Sequence, residues 1–593
     1  MQRHARVAAI QGQADGVNRD AASLLERIAT LLEAKGENPF RVRAYREAAA
    51  HIAAMNENLI AVWKAGQLQS ISGVGPSIAA KLDEFLRTGR SGYLDELERS
   101  VPPGVERLMN VPGIGPSRAR QLVERLQIHS PEELATAAEA HQIRTLPGFG
   151  PRSEERLLIE AHRWAQRERR LLLGVAWPIA QQIVDLLRTE PIVLKISAAG
   201  SLRRMCETIG DLDLLAASQV PAQAVNRFTR LPIVREVLVH GPTKASVLLE
   251  SGLQVDLRVV EPESWGAALQ YFTGSKLHNI ALRDMAIGRG LKLNEYGVFE
   301  DRTGRRVGGE TEEDVYQALG LEWMPPEIRE DRGELQAAAS HRLPVLVERS
   351  DLRGDLHVHS DWSDGTAGIE AMVRAAMEAG LAYIAITDHS QSLTIAGGLT
   401  AAQLHQQRRE IDRLNEQLAP FRLFHGCEVD IRPDGSLDFP DDVLAELDYV
   451  SVSVHRRFRM GREEMTERII RALRNPWVNT LNHPTGRLIG QRPGYDVDLE
   501  AVLQAAAALG VAVEINSQPQ RLDLDDVWAR RAKELGCRLV VDSDAHGPAH
   551  FRALRYGVAV ARRGWLASVD VANTLPTPPF EAWLRRRQPR RAA

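Results

Sequence analysis

Three aspartates in the middle of the chain have the spacing of a site for two divalent cations. Asp211 and Asp213 are two residues apart in a predicted strand and so face the same way, and Asp256 lies in a later predicted strand. Mg²⁺ prefers carboxylates and phosphate oxygens, and two ions ~4 Å apart stabilise the attacking and leaving oxygens of a displacement. An isolated Asp-X-Asp pair is typical of a solvated strand end. The preceding turn, Gly200 and Ser201, would let a triphosphate approach, so the combination favours nucleotidyl transfer.

Histidines and carboxylates end successive apolar runs in the C-terminal third of the chain. A single histidine there would be structural, but six histidines and three carboxylates together predict a metal cluster that hydrolyses phosphoesters. Mixed imidazole and carboxylate ligands suit Zn²⁺, Mn²⁺ or Fe²⁺ better than Mg²⁺. The nine residues are His357, His359, Asp364, His389, Glu428, His455, His483, Asp544 and His546.

Seven of these apolar runs alternate with Ala-rich helical segments beyond Asp351. This rhythm predicts a βα barrel, in which active sites gather at the carboxyl ends of the strands. Upstream, residues 190–265 are predicted to be rich in strands and residues 20–165 to be helical.

Three similar glycine turns interrupt the predicted N-terminal helices. Glycines in a tight turn before a helix let backbone N–H groups approach a phosphate, and such contacts follow the DNA backbone and not its sequence. One copy could be an ordinary helical hairpin, but three copies resemble helix-hairpin-helix motifs. The six glycines expected to contact DNA are Gly73, Gly75, Gly113, Gly115, Gly148 and Gly150.

The composition narrows the class of protein without identifying it. A chain of 593 residues is too long for one core and predicts roughly three to five domains. No apolar run of about 18 residues predicts a membrane span, and the first residues lack a signal-peptide pattern. The three cysteines, Cys206, Cys427 and Cys537, have no metal-binding spacing and indicate a reducing cytosol. The net charge of −4 is unusual for a nucleic-acid binder, although acidic metal ligands contribute to it.

Longer segments resemble the family X DNA polymerases of the bacterial and archaeal type over nearly the whole chain. The segments are KGENPFRVRAYR (35–46), SGVGPSIAAKLDEFLRTG (72–89), AGSLRRMCETIGDLDLL (199–215), VDLRV (255–259), YFTGSKLHNIALR (271–283) and LNEYGVFE (293–300). The resemblance implies a multidomain α/β and α+β protein with a helical helix-hairpin-helix region, a nucleotidyltransferase palm and thumb, and a C-terminal distorted (βα)7 PHP barrel. The expected divisions are an 8-kDa-like domain (1–95), a fingers-like domain (96–170), palm (171–265), thumb (266–335), linker (336–350), PHP domain (351–580) and basic tail (581–593).

The same resemblance implies roles for residues of the polymerase part. Asp211, Asp213 and Asp256 would be the catalytic ligands of Mg²⁺ or Mn²⁺, and Arg283 would touch the template. Lys276 stands where some animal relatives have an acidic residue. Expected nucleotide-binding residues are Gly200, Ser201, Arg204, Gly210, Tyr271, Phe272, Gly274 and Asn279.

Lys81 stands where lyases of this family keep a lysine that forms a Schiff base. Burial or basic neighbours would lower the pKa of such an amine and let it attack a sugar aldehyde. The alternative is a solvated helix lysine beside DNA. Ser77 replaces a phosphate-binding lysine of some relatives, which weakens the lyase hypothesis.

Residues 351–575 resemble a PHP domain, a phosphoesterase with three divalent metals, here Mn²⁺ or Zn²⁺. The resemblance implies that Glu428 bridges two of them, and that Arg487 either binds phosphate or forms a surface salt bridge. The first metal would take His357, His359, Glu428 and Asp544; the second Glu428, His455 and His483; the third Asp364, His389 and His546.

The resemblance implies a cytoplasmic, nucleoid-associated monomer that fills gaps during DNA repair. Its substrates would be gapped or primed DNA and deoxynucleoside triphosphates, and its barrel would be a 3′–5′ exonuclease. Activity as a 3′-phosphatase, abasic-site endonuclease or 5′-deoxyribose-phosphate lyase stays open. Two rival hypotheses are a small-molecule phosphatase, because similar barrels hydrolyse histidinol phosphate, and a scaffold that binds metal without turnover.

Overall fold

The computed structural model describes residues 14–586 except 54–58, 72, 110, 112, 169 and 252. The chain divides into two compact units, and the second begins at Arg170. Among the described residues, no helix combines the length and the hydrophobicity that crossing a bilayer requires.

The first unit is helical, as its sequence pattern predicts. Apolar residues such as Leu25, Ile28 and Leu32 on the first helix are fully buried and form its core with the helices that follow. Several helices begin with proline after a glycine, since proline fits the first turn, where its missing N–H costs no hydrogen bond. The helices are α1 Ala14–Lys35, α2 Pro39–Ala53, α3 Leu59–Lys64, α4 Pro76–Thr88, α5 Gly92–Ser100, α6 Val105–Met109, α7 Pro116–Leu126, α8 Pro131–Glu139 and α9 Pro151–Glu168.

The second unit opens with the segment expected to form the palm. Its five-stranded mixed sheet has the order β2-β4-β7-β6-β5, with β4 and β7 parallel and the other neighbours antiparallel. Alternate residues of β7 are buried, which leaves Asp256 and Arg258 on the accessible face. The elements are β1 Leu171–Leu172, α10 Leu173–Arg188, β2 Lys195–Ala198, α11 Gly200–Arg203, β3 Thr208–Ile209, β4 Leu212–Ala217, α12 Pro221–Thr229, β5 Val234–His240, β6 Lys244–Leu249 and β7 Gln254–Val260.

The next segment, expected to be the thumb, packs helices on a small antiparallel sheet in the order β10-β9-β8. Its core includes Leu282, Val298 and Tyr316, all fully buried. Its elements are α13 Trp265–Thr273, α14 Lys276–Gly288, β8 Leu291–Asn294, β9 Gly297–Glu300, β10 Arg306–Gly308, α15 Glu312–Ala318 and α16 Glu334–Ala339.

The segment expected to be a linker is packed against the barrel. Val347 is fully buried, its N–H donates to the carbonyl oxygen of Leu566 at 2.9 Å, and its own carbonyl accepts from Arg562 at 3.1 Å. Buried backbone and side chains of this kind hold residues 346–347 in place.

The C-terminal part is a seven-stranded parallel barrel, which confirms the predicted (βα)7 architecture. Neighbouring strands follow chain order, and each predicted apolar run forms one strand. The first and last strands meet where His359 N–H donates to the carbonyl of Ala545 at 2.8 Å. The strands are β11 Gly354–Val358, β12 Tyr383–Ile386, β13 Arg422–Asp430, β14 Tyr449–Ser453, β15 Thr480–Leu481, β16 Ala512–Asn516 and β17 Leu539–Asp542.

Helices surround these strands, and the last one covers the amino ends of the barrel. There Phe580 stacks on Tyr383 with ring centroids 4.6 Å apart, and Trp583 packs beside it. The opposite end, at the carboxyl ends of the strands, is the one where the sequence predicts the metal ligands. The helices are α17 Ile369–Glu378, α18 Ala401–Leu418, α19 Asp441–Leu444, α20 Arg462–Leu473, α21 Leu499–Leu509, α22 Asp526–Glu534, α23 Leu554–Arg563 and α24 Thr577–Arg585. Most of the predicted basic tail, residues 587–593, lies outside the described residues.

Short 3₁₀ helices connect several of these elements. They are Leu68–Ser70, Ile143–Thr145, Pro262–Ser264, Pro326–Ile328, Arg349–Asp351, Thr394–Ala396, Pro548–Ala553, Ser568–Asp570 and Ala572–Thr574.

Candidate active sites

The three palm aspartates meet at one edge of the sheet. Asp213 and Asp256 are direct partners on the parallel strands β4 and β7, and Asp211 lies one residue ahead of β4. One carboxylate oxygen from each of the three lies within 4.8 Å of the others. This is the separation at which carboxylates can share divalent cations.

Gly200 holds the turn beside these carboxylates. Its φ of +57° suits glycine, and a Cβ there would lie 2.2 Å from Oδ2 of Asp213. The N–H of Ala199 donates to the carbonyl of Asp213 at 2.8 Å and fixes the turn to β4. A glycine at this position therefore lets Ser201 begin a helical turn next to the acidic cluster.

The electrostatics of the aspartate cluster favour a bound cation. Burial, together with the negative charges of Asp211 and Asp256, raises the pKa of Asp213 to about 7, although Arg204 and Lys244 oppose the shift. A carboxylate beside two others is hard to ionise because the negative charges repel one another. Bound cations would offset this repulsion and stabilise all three ionised carboxylates. The residues present thus fit divalent metal ions.

Four of the residues expected to bind the nucleotide lie on α13, on α14 or between these helices. The rings of Tyr271 and Phe272 meet edge to face, 5.1 Å between centroids, and Arg283 lies over Tyr271 at 5.9 Å. Asn279 donates to the carbonyl of Tyr271 at 2.7 Å and so ties α14 to α13. Gly274 follows α13 with a φ of +70°.

Arg204 is engaged by its neighbours. It donates to the carbonyl of Thr273 at 2.6 Å and to Glu330 at 3.0 Å. A triphosphate would therefore exchange with, or add to, existing contacts of this guanidinium. Gly210, which precedes Asp211, is half-buried, and a Cβ there would lie 3.4 Å from Arg170.

Sequence reasoning missed Glu312, which joins the palm to the thumb. Its carboxylate accepts from Arg203 at 2.7 and 2.8 Å and from Arg329 at 2.6 Å, and Arg329 is fully buried. Although burial opposes it, the charges and hydrogen bonds of the two arginines lower the pKa of Glu312 to about 2. The sequence contains no local signal for this pairing, because the partners are more than 100 residues apart in one case.

All nine predicted barrel ligands come together at the carboxyl ends of the strands. Four overlapping groups each place their ligand atoms within 4.8 Å of one another. Oε2 of Glu428 lies 3.4 Å from Nε2 of His357 and 3.6 Å from Nε2 of His359, while its Oε1 lies 3.0 Å from Nε2 of His483 and 3.3 Å from Nε2 of His455. The two oxygens of Glu428 thus face two different ligand sets.

The remaining ligands form a third set. Asp364 lies 3.5 Å from Nε2 of His389 and 3.4 Å from Nε2 of His546. Oδ1 of Asp544 lies 3.4 Å from both His357 and His359, on the side of the first set. The three expected ligand sets stay a prediction, because His389 also contacts Glu428 at 2.9 Å and His359 lies in one group with Asp364, His389 and His546.

Several ligand atoms are buried without a hydrogen-bond partner. They are Nε2 of His357, both ring nitrogens of His359, Nδ1 of His389 and Oε2 of Glu428. Burial and the charges of His546 and His389 lower the pKa of His359 to about 3, so its lone pair is free at neutral pH. Orphaned nitrogens and a carboxylate oxygen that converge in this way fit divalent metal ions.

Two further carboxylates, which sequence reasoning missed, orient the histidines. Glu514 contacts Nδ1 of His357 at 2.6 Å, and Asp430 contacts Nδ1 of His455 at 2.6 Å. Such contacts turn the opposite nitrogen toward a metal and raise its basicity. The signal was present, since Asp430 follows Glu428 by two residues on one strand and Glu514 lies in a predicted strand.

Two arginines flank the barrel site. Arg487 donates to Glu207 of the palm at 2.6 Å and to the carbonyl of Arg521 at 2.9 Å. It therefore forms a salt bridge, although its side chain is mostly buried and the bridge is not the surface pair expected. Arg521 has its Nε 3.5 Å from Asp544 and is partly exposed, which makes it a better phosphate contact than Arg487.

The three glycine turns of the first unit share one geometry. Gly73, Gly113 and Gly148 have φ between +80° and +93°, and Gly75, Gly115 and Gly150 directly precede helices that begin with proline. Arg118 donates to the carbonyls of Gly113 and Gly148 at 3.1 and 3.0 Å, so the second and third turns lie side by side.

Lys81 lies among aromatic side chains. Its Nζ is 4.5 Å from the ring centre of Tyr93 and 6.0 Å from that of Tyr45, and it donates to Ser77 at 3.0 Å. Burial and the charge of Arg41 lower the pKa of Lys81. Lys81 is thus partly buried beside two rings, and the choice between a lyase lysine and a solvated helix lysine stays a prediction.

Comparison with known proteins follows the same division of the chain. Family models match the Helix-hairpin-helix domain at residues 17–91, the SAM-like Helix-hairpin-helix tandem at 105–163, the DNA polymerase beta thumb at 268–330 and the PHP domain at 355–517. A 204-residue segment is 32% identical to a probable phosphatase of Thermoanaerobacter sp. (strain X514), covering 32% of this chain and 78% of that protein.

A second relative matches almost the full chain. DNA polymerase/3′-5′ exonuclease PolX of Bacillus subtilis (strain 168) is 39% identical over 570 residues, which cover 96% of this chain and 99% of that protein. The predicted family and fold class are therefore confirmed. This chain belongs to the family X DNA polymerases of the PolX type, with helix-hairpin-helix segments, a polymerase thumb and a C-terminal PHP domain.

Proposed function

We propose that this chain fills short gaps in DNA with its palm and trims 3′ ends with its barrel. The observation that carries the polymerase assignment is the pairing of Asp213 and Asp256 in register on parallel strands, with Asp211 beside them. The nearly full-length match to a protein named as polymerase and 3′-5′ exonuclease supports both activities. The substrates are gapped or primed DNA and deoxynucleoside triphosphates.

In the palm, Asp211, Asp213 and Asp256 hold Mg²⁺ or Mn²⁺. The ions would supply charge neutralisation at the triphosphate and would favour ionisation of the primer 3′ hydroxyl. The 3′ oxygen would give its proton to solvent and form a bond to the α-phosphorus as the bond to pyrophosphate breaks. Ser201, Arg204 and the backbone at Gly200 and Gly210 bind phosphate oxygens, while Tyr271, Phe272, Gly274 and Asn279 contact the nucleotide and Arg283 the template.

In the barrel, Glu428 would share its two oxygens between two of the three ligand sets that would hold Mn²⁺ or Zn²⁺. Such ions, when bound, would activate water for attack at neutral pH and would offset the charge of the phosphate that is cleaved. The carboxylates of Glu514 and Asp430 hold His357 and His455 in the orientation that presents Nε2. Arg521, next to Asp544, binds the phosphodiester.

For the barrel site, DNA fits better as the substrate than a small phosphate ester does. A probable phosphatase matches about a third of the chain, whereas the PolX relative matches 96% of it. The glycine turns of the first unit fit contacts with the DNA backbone, which a small-molecule phosphatase does not need. We propose that the enzyme acts at the nucleoid in the cytoplasm and that it is a monomer. We also propose that its chain divides into the seven parts expected from the sequence.

A second candidate activity is cleavage of a 5′-deoxyribose phosphate. The lowered pKa of Lys81 and its position beside Tyr45 and Tyr93 favour it, because a neutral amine can attack a sugar aldehyde. Borohydride trapping of a covalent complex with an abasic 5′ end, lost in Lys81→Ala, tests this activity.

One labelled substrate separates the two main activities. A gapped duplex with a labelled primer is incubated with Mg²⁺ or Mn²⁺, with and without nucleotides. We expect extension when nucleotides are present and shortening from the 3′ end when they are omitted and Mn²⁺ is supplied. A primer that stays unchanged under all four conditions would refute the proposal.

A further inference from the structure

A groove lies where the palm helix α10 meets the barrel. Its volume is about 850 Å³, within the range of roughly 300–1,000 Å³ that ligand sites occupy. Trp177 of α10 and Tyr556 of α23 line it, as do Arg552 and Arg555. None of these side chains belongs to either metal cluster.

The groove reaches the rim of the barrel metal site. His550 lines it and accepts a hydrogen bond from the N–H of His546 at 3.1 Å. Gln518 also lines it and donates to the carbonyl of Asp544 at 3.0 Å. A chain lying in the groove would therefore end beside two of the proposed metal ligands.

The charges in the groove favour a polyanion. Arg552 and Arg555 are exposed and form no ion pair with any described residue. Asp185, the acidic residue of the lining, already accepts from Arg188 at 3.0 Å and from Gln181 at 2.8 Å. Unpaired guanidiniums next to a phosphoesterase centre attract phosphates.

Trp177 and Tyr556 add a surface for bases. Aromatic side chains combined with cations are the usual means by which proteins bind single-stranded nucleic acid without sequence preference. Trp177 is half-buried, and Tyr556 keeps 8% of its surface exposed. Both rings line the groove, and Trp177 is the more exposed of the two.

The two walls of the groove are in direct contact. A Cβ on Gly174 of α10 would lie 2.4 Å from Cγ of Pro519 in the barrel, so the helix sits tightly against the loop after β16. The groove is therefore built only when palm and barrel are joined in one protein.

We propose that this groove binds the last nucleotides of a single-stranded DNA 3′ end and guides it to the barrel metal site. The proposal rests on the 3′-end trimming proposed above. Arg552 and Arg555 bind backbone phosphates, and bases stack against Trp177 and Tyr556. The groove thereby couples palm and barrel in one substrate path.

Photochemical crosslinking tests the groove without requiring catalysis. Full-length protein in EDTA is irradiated with a single-stranded oligonucleotide that carries 5-iododeoxyuridine near its 3′ end, and the crosslinked peptides are identified by mass spectrometry. We expect crosslinks at Trp177 or Tyr556. Crosslinks that fall only on other peptides would overturn the proposal.

The kinetics of 3′-end hydrolysis provide a second test of the groove. The double variant Arg552→Glu/Arg555→Glu should raise the KM for single-stranded DNA on the order of tenfold, because two phosphate contacts become repulsive. Hydrolysis of bis(p-nitrophenyl) phosphate with Mn²⁺ should be unchanged, since this small ester does not reach the groove. The matched control is Arg409→Glu/Arg413→Glu, which makes the same charge change on exposed residues of α18, a helix that packs on β13.

The outcomes separate this proposal from the proposed function. An unchanged KM in the groove variant, with an active wild type, would refute the groove and leave the exonuclease intact. Absence of 3′-end hydrolysis in the wild type would refute the exonuclease, and the crosslinking arm would then decide the groove by itself.

Discussion

Arg563 of the barrel donates a hydrogen bond from Nη1 to the carbonyl oxygen of Arg204 in the palm at 2.8 Å. The same nitrogen lies 3.0 Å from Glu330, which also accepts from Nε of Arg204. Arg563 is 8% exposed, and its other terminal nitrogen contacts Asp526 at 3.0 Å. The barrel thus holds a residue that we propose binds the triphosphate.

Arg563→Gln should weaken nucleotide binding although the residue lies in the barrel. Loss of the guanidinium takes one hydrogen bond each from the carbonyl of Arg204, from Glu330 and from Asp526, at a cost of about 2 kcal/mol in stability. Glu330 then keeps only Arg204 among these partners and Asp526 keeps Arg332. We expect a severalfold higher KM for nucleotides in gap filling and little change in 3′-end hydrolysis. Arg409→Gln, an exposed change on α18, is the control, and equal KM values for the two variants would contradict the idea.

The double variant Asp213→Asn/Asp256→Asn should abolish primer extension. The same variant should make the metal-free protein more stable. The rate of primer extension should fall by at least about 1,000-fold, because the cluster loses two of the three carboxylates proposed to hold the metal ions. Removal of like charges should raise the free energy of unfolding by about 1 kcal/mol in EDTA. Extension assays and thermal unfolding measure the two effects. Extension that survives in this variant would refute the palm assignment.

His357→Ala combined with His359→Ala should abolish 3′-end degradation and leave extension largely intact. These residues are fully buried in the barrel cluster and lie outside the palm, so the two chemistries should separate. A labelled primer reports both activities in one gel. Degradation that continues unchanged would place the nuclease elsewhere in the chain.

Asp430→Asn should weaken metal binding without removing a proposed ligand. The carboxylate orients His455 through a 2.6 Å contact, and loss of such a contact lowers metal affinity by about 10–100-fold. Titration with Mn²⁺ followed by calorimetry measures the change. Asp434→Asn, an exposed residue bonded to Ser436, should match the wild type. Identical Mn²⁺ affinity of Asp430→Asn and the wild type would argue against the orienting role.

Glu312→Gln should lower stability at neutral pH by about 3 kcal/mol, the value of a pKa shift from 4.5 to about 2. The pKa is depressed in the folded protein, so the stabilisation is complete above about pH 4.5 and is lost as the pH falls toward 2. Unfolding of wild type and variant should therefore converge over this interval. Exposed Glu313→Gln is the neighbouring control. A stability difference that persists at pH 2 would contradict the ionised pair.

The sequence by itself predicted the residues that converge in both clusters and determined the kind of fold that carries them. Asp211 and Asp213, or His357 and His359, have a spacing of two that puts side chains on one face of a strand or its extension, and this local property can be read from the chain. Seven apolar runs ending in polar residues predicted the seven strands, because burial on both faces demands continuous apolar sequence. The resemblance supplied the expected roles.

Only the tertiary structure decided which distant residues meet. The register that pairs Asp213 with Asp256, the contacts of Glu312 with Arg203 and Arg329, and the approach of α10 to the barrel all join segments far apart in sequence. Such pairings depend on how whole elements pack, and no periodicity in one segment records them. The groove between palm and barrel exists for the same reason, since one wall is a helix of the palm and the other combines a loop and helices of the barrel.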